Sequence, residues 1–174
     1  MMNEPNLRQI DLLRQAGMRP NIVACILNNG RLMFCRDRQH KVWFFPQGGI
    51  DNHELPKQAL YREIEEELGI RVRDTLIESP IMFYMDKIMF RGSGIGSREL
   101  STDAGEIKVM RGKFYMFYRI NCNIEKINFK DTLFDSIVWL DKKNVNAAEK
   151  LVTDPNKKNQ YKKVIDKLSK YLRD

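Results

Sequence analysis

Histidine is scarce in this chain: only His40 and His53 are present. Cysteine is limited to Cys25, Cys35 and Cys122. A zinc site built from imidazole and thiolate therefore has few ligands to draw on. An odd number of cysteines does not describe a disulfide framework either. They read as buried free thiols of a reducing compartment, and the expectation is a cytoplasmic protein. No apolar run approaches the roughly 20 residues that span a bilayer, so no membrane association is expected. The first residues, MMNEPNLRQIDLLRQAG, carry acids and lack the apolar centre of a secretory signal. No repeat, low-complexity tract or Pro/Gly/Ser-rich linker divides the 174 residues, so a single core is expected.

Basic charge is in excess. Lys and Arg number 30 against 23 Asp and Glu, a formal net charge of +7. The excess is uneven, with ten Lys or Arg against four acids between Lys142 and Asp174. That end favours a polyanionic partner, although Lys-rich amphipathic helices are also ordinary solvated faces.

Leu7, Ile10 and Leu13 lie at near-helical spacing and stop at Gly17. They predict a short N-terminal helix, and residues 1–18 are read as a helical extension of a domain over 19–174. The run Ile22–Leu27 is strand-like, Asn29-Gly30 is a strong hairpin signal, and Arg31–Arg36 is the return strand. Val42–Phe45 reads as a short strand closed by Pro46, after which Gln47-Gly48-Gly49 reads as a turn. Pro56 suits the first turn of a helix and Gly69 suits its C-terminal cap, so a helix is expected over about 55–68. Arg71–Glu78, Ile81–Met85, Lys113–Ile120 and Ser136–Leu140 read as further strands. Residues 86–112, with Gly92, Gly94, Gly96 and Gly105, read as one long connection. A short helix is expected within 142–152. The stripe Tyr161, Val164, Ile165, Leu168 and Leu172 marks a last helix. Strands interleaved with helices, hairpins included, predict an α/β/α sandwich with a mixed sheet.

The helix over 55–68 carries Arg62-Glu63-Ile64-Glu65-Glu66-Glu67. At about 100° per residue, Glu63, Glu66 and Glu67 share an arc of roughly 100° beside the apolar stripe Leu60, Ile64, Leu68, while Glu65 points away. Two carboxylates about 6 Å apart repel by roughly 3 kcal/mol at an effective dielectric of 20. A partly buried arc of this kind needs protons or a cation. The position that normally carries a balancing base, four residues on, holds Glu67 after Glu63 and Ile70 after Glu66; only Glu67 finds one, Arg71. Hard oxygen ligands with few histidines select Mg²⁺ or Mn²⁺. An acidic solvent face is the alternative that the run alone leaves open.

The flanks decide between them. Gly48, five residues, Glu54, seven residues, then Arg62-Glu63-Ile64-Glu65-Glu66-Glu67-Leu68-Gly69-Ile70 resembles the Nudix box in every defining position. The resemblance implies a loop–helix–loop that holds a divalent metal against a diphosphate. It assigns Glu63, Glu66 and Glu67 to metal binding or water activation, and a backbone carbonyl near Gln47–Gly48 completes the site. Glu54 and Arg62 brace the loop, and Gly69 ends the helix. The implied reaction is attack of metal-activated water on phosphorus. Arg19-Pro20-Asn21, the run Trp43–Ile50, the aromatic strand at 114–118, Phe134-Asp135 with Trp139, and Tyr161-Lys162-Lys163 look like the bacterial RNA pyrophosphohydrolases and the related dinucleoside polyphosphate hydrolases, over roughly 19–79 and 113–172. That narrower resemblance implies that Arg19 and Arg36 lie at an RNA site.

The match departs in three places. Leu133 stands where the family usually has a glutamate before the Phe-Asp pair, and Asp131, Asp135 or Glu106 are the candidates to replace it. Phe44 stands where close relatives often have Gln. Residues 80–112 are longer than, and unlike, the family segment. The expected function is Mg²⁺- or Mn²⁺-dependent removal of pyrophosphate from the 5′-triphosphate end of RNA. Two readings stand beside it: hydrolysis of dinucleoside polyphosphates, and a nucleotide- or RNA-binding module without catalysis, which Leu133 motivates. No protein partner is legible.

Overall fold

A computed structural model of the chain describes residues 2–90, 98–124, 127 and 132–174. Helix α1 spans Leu7–Gln15, and Asn6 and Gln9 cap it reciprocally, each side-chain oxygen accepting the other's backbone N–H at 3.0 Å. Strand β1 (Met18–Asn28) turns through Asn29 and Gly30, with φ of 49° and 68°, into β2 (Arg31–Asp37). Two successive positive φ values suit the twist of a two-residue hairpin, and the Asn-Gly pair allows them. Then come β3 (Trp43–Phe44), β4 (Gln47–Gly49) and α2 (Pro56–Leu68). A 3₁₀ turn (Val72–Thr75) leads to β5 (Ile81–Met89). The hairpin β6 (Glu99–Ser101) and β7 (Ile107–Val109) precedes β8 (Gly112–Asn121) and β9 (Phe134–Leu140). The chain closes with α3 (Ala148–Leu151) and α4 (Pro155–Leu168).

The main sheet runs β3-β2-β1-β8-β5, with β4 on β1 and β9 on β2. Among the described residues only β1 and β8 pair in parallel, so the sheet is mixed. Both central strands are buried on two faces, which explains why β1 reads as a continuous apolar run rather than an alternating one. One face packs Ile22, Ala24, Met116 and Tyr118 against Ile10 of α1 and Leu60, Ile64 and Leu68 of α2. The other packs Val23, Cys25, Phe34 and Phe117 against Tyr161, Val164, Ile165 and Leu168 of α4. The layers are α/β/α, and no described helix is long and apolar enough to cross a membrane.

Three local expectations give way. Gln47-Gly48-Gly49 is a strand, because β1 offers it an edge: Asn21, Ile22 and Val23 face Gly49, Gly48 and Gln47. Arg71–Glu78 is not a strand. The left-handed cap at Gly69 (φ 66°) leads into the 3₁₀ turn, and only Leu76 bridges to the sheet, at Cys122. Residues 86–112 are not a single loop, since Asp86–Met89 continue β5 along Gly112–Tyr115, and β6 and β7 pair with each other. Gly92, Gly94 and Gly96 lie outside the described residues, as does Asp131.

Candidate active site

The site forms where β1 changes partner, from β4 at 21–23 to β2 at 27–28. In that ladder the Ala24 N–H donates to the Pro46 carbonyl and the Ile50 N–H to that of Pro20. Bonded pairs alternate in an antiparallel ladder, so Gly48, opposite Ile22, turns its polar groups toward β1. Gln47 and Gly49 turn theirs outward: the Gln47 N–H donates to Glu67 Oε2 at 2.9 Å, and the Gly49 carbonyl accepts from Arg62 Nη2 at 2.9 Å. The outward backbone oxygen beside Glu67 is therefore that of Gln47. What Gly48 offers is a missing side chain. A methyl group built on it would lie 1.8 Å from Glu63 Cδ.

Helix α2 presents the acids. Its stripe Ala59, Leu60, Ile64 and Leu68 is fully buried, which carries Glu63 and Glu67, one turn apart, to the edge of β4. Glu67 is only 8% exposed. Burial pushes its carboxyl up to about 8, reinforced by the neighbouring Glu63 and opposed by the Gln47 N–H. Burial also raises the Glu63 carboxyl, against the pull of Arg62. Glu66 is 59% exposed, with Arg62 Nη1 at 3.5 Å. It lines a cavity of about 440 Å³ on the outer side of α2, with Gln58, Tyr61 and Arg71. Glu65 faces solvent with Arg71 Nε at 3.6 Å, so Arg71 serves Glu65 rather than Glu67. Among the described residues no three acidic, histidine or cysteine side chains stand together as a ready metal cluster. Arg62 Nη1 bonds Glu63 Oε1 at 2.8 Å and reaches Glu66 Oε2 at 3.5 Å, so one nitrogen ties two of the three expected acids together, while Glu67 takes the Gln47 N–H.

Arg62 also grips the loop. Its Nε and Nη2 donate to Glu54 Oε1 and Oε2 at 2.9 and 2.8 Å, and Glu54 Oε2 accepts the Asp51 N–H at 2.9 Å. Although burial pushes the other way, these bonds hold the Glu54 carboxyl below its usual range.

The other side of β4 is cationic. Arg19 lies over Gly49, where a methyl would come within 2.5 Å of Arg19 Nη2, and pairs in register with Lys113 of β8. Arg36 does not stand free. Asp135 Oδ1 accepts from its Nε at 2.8 Å, and its guanidinium sits 5.9 Å from the centre of the Trp43 ring. Arg36, and then Lys41 at 2.6 Å, draw the Asp135 carboxyl down to about 2. Asp135 is thereby paired with two cations, and Glu106 is paired with Lys108 at 2.8 Å. Leu133 is 39% exposed.

One residue escaped the sequence reading. Lys157, in the first turn of α4, holds its ammonium 5.5 Å from the Phe44 ring centre and 5.9 Å from those of Tyr115 and Tyr161. Burial lowers its pKa to about 8, helped by Lys113 and opposed by Asp154 and Glu67. The Asp154-Pro155 cap signal places Lys157 in the first turn of a helix, with Tyr161 four residues on, but Phe44 and Tyr115 come from two other elements that no local pattern joins to it.

Residues 18–101 match the NUDIX domain family. The RNA pyrophosphohydrolase of Baumannia cicadellinicola subsp. Homalodisca coagulata is 29% identical over 133 residues, spanning 74% of this chain and 80% of that protein. That of Aliivibrio fischeri (strain ATCC 700601 / ES114) is 30% identical over 129 residues, spanning 71% and 72%. The fold is similar to that of a MutT protein from Bacillus halodurans, with a TM-score of 0.59 at 14% identity over 83% of this chain and 80% of that one. With the β4–α2 geometry and this extent of similarity, the chain belongs to the Nudix hydrolase family.

Proposed function

We propose that this protein is a divalent-metal-dependent RNA pyrophosphohydrolase that cuts a phosphoanhydride in the 5′-triphosphate end of RNA, leaving a 5′-monophosphate and releasing pyrophosphate. The observation that carries this is the opposition of charges across one three-residue strand: half-buried Glu63 and buried Glu67 on one side of β4, and Arg19, Lys113 and Lys157 on the other. The names of the relatives support the choice of RNA. A cytoplasmic location agrees with three free, buried cysteines.

The donor set fits Mg²⁺ or Mn²⁺. Glu63, Glu67 and the outward Gln47 carbonyl are hard oxygens, and a carboxyl held up to about 8 is one that gains from a dication. Glu66 joins them by leaving its 3.5 Å contact with Arg62. When bound, the metal supplies a water of lowered pKa and neutralises charge on the leaving phosphate. The chain's own residues do the rest. Arg62 and Glu54 fix the loop, so that the Gln47 carbonyl stays aimed. Arg19 and Lys113 hold phosphate oxygens through charge-assisted bonds. Lys157, with its aromatic walls, sets a cation close to Glu67 and keeps water out.

Incubation of 5′-triphosphate RNA with Mg²⁺ tests this, with 5′-monophosphate RNA and pyrophosphate as the expected products. Faster cleavage of a dinucleoside tetraphosphate would move the assignment to that substrate. Leu133 gives a specific reason for a second reading, a binding module without catalysis. That reading wins if wild type and Glu67→Gln are equally inert while both bind RNA.

A further inference from the structure

The β6–β7 hairpin is docked at both its tip and its base. At the tip of the β6–β7 hairpin, Asp103 Oδ1 accepts from Arg14 Nη1 at 2.9 Å and from the His53 N–H at 3.2 Å. The Asp103 N–H donates to Asp11 Oδ1 at 2.7 Å, and Asn52 Nδ2 donates to the Thr102 carbonyl at 2.9 Å. At the base, the Arg111 N–H donates to the Gly17 carbonyl at 2.7 Å and the Met110 N–H to that of Arg98 at 2.8 Å. The hairpin therefore lies fixed along α1, the start of β1 and the loop after Gly49.

This docking settles where Arg98 goes. Its guanidinium lies 5.6 Å from the centre of the Phe90 ring, next to the strand end that carries Lys113. Lys113 and Arg19 sit side by side in the parallel β1–β8 register. The Lys113 ammonium is held below its usual range by burial first, then by Arg19, then by Arg98. Among the described residues none of the three has a carboxylate within ion-pair distance, whereas Arg14 and Lys108 nearby both do. Like charges gathered without a carboxylate partner repel one another. A polyanion offsets that repulsion.

We propose that Arg98, delivered by the docked β6–β7 insert, completes with Arg19 and Lys113 a three-cation site for the phosphoryl groups of the substrate that lie beyond the pair held at Glu63 and Glu67. This rests on the reading of the substrate as a polyphosphate. It assigns the insert a role in setting how long a phosphate chain the enzyme accepts.

Inorganic tripolyphosphate, titrated calorimetrically into the full chain without divalent metal, isolates the site from the choice of RNA. The wild type is expected to bind with a marked dependence on salt. Arg98→Ala should bind about tenfold more weakly and with a salt slope smaller by about one. Arg98→Lys should recover most of the slope but less of the affinity, because a point charge replaces the two-pronged fork. A wild type that does not bind tripolyphosphate overturns the proposal, and so does an Arg98→Ala that binds like wild type with the same slope. A wild type that binds tripolyphosphate in this way but leaves triphosphate RNA uncut supports the site while removing the RNA assignment.

Discussion

The Glu63 carboxylate rests against the α-carbon of Gly48, so close that a methyl group there would stand 2.0 Å from both of its oxygens. The obstacle is the far end of a flexible side chain, which can swing aside. Gly48→Ala should therefore fold normally but push the carboxylate off the β4 edge. Displacing a group that orients a metal site costs about 10–100-fold in metal affinity or activity. Melting temperature, Mn²⁺ titration and kcat/KM together check this. Wild-type metal affinity in a folded Gly48→Ala would show that the contact is incidental.

Glu67 gives the metal-free protein a pH dependence of definite sign. The unfolded chain releases this proton near 4.5, whereas the folded chain keeps it until about 8. Between those values the folded state binds more protons, so stability falls as pH rises, is fully present below about 4.5, and levels off above about 8. Thermal melts in a chelator should show that decline. Glu67→Gln should flatten it, and Mg²⁺ should stabilise wild type more at the upper end. Lys157, lowered to about 8, contributes with the opposite sign above that point, so the readout belongs below it. A chelated Glu67→Gln with the wild-type slope would assign the dependence elsewhere.

The layers of the fold were legible because periodicity encodes burial: the stripe on α4, the hairpin at Asn29-Gly30 and the continuous run of β1 each report a local environment. The spacing of Glu63 and Glu67 on one side of α2 was legible for the same reason. The contacts of Arg62 with Glu63 and Glu66 were not, because periodicity carries no information about where a long side chain finds acceptors. Strand β4 was hidden because three polar and glycine residues become a strand only when β1 supplies the edge. The β6–β7 hairpin was hidden because its anchors, Asp11, Arg14 and Asn52, lie far away in sequence.

Arg62 joins Glu54, Glu63 and the Gly49 carbonyl at 2.8–2.9 Å. Groups within one such network couple when mutated together. Arg62→Met and Glu54→Gln should show a coupling of about 1–3 kcal/mol in a double-mutant cycle on stability, and each single change should weaken metal binding. Additive effects would mean that the pair does not brace the loop.

Arg14 is 1% exposed and serves three acceptors: Asp103 Oδ1 at 2.9 Å, the Ile50 carbonyl at 2.9 Å and the Asp51 carbonyl at 2.7 Å. Removing it leaves two backbone carbonyls and a carboxylate without their donor in a largely dry place. Arg14→Ala should therefore destabilise the protein by about 3–5 kcal/mol, the range for breaking a buried pair on one side. Asp103→Asn should cost much less, because its amide oxygen still accepts from Arg14 and from the His53 N–H. Urea melts give the two energies. Hydrogen exchange separates a local effect from a global one: the Asp103 N–H, held by Asp11, should exchange faster in Arg14→Ala than the central β8 amides do, relative to wild type. Equal losses in the two variants would mean that charge, and not the shared acceptor geometry, holds the hairpin against the loop.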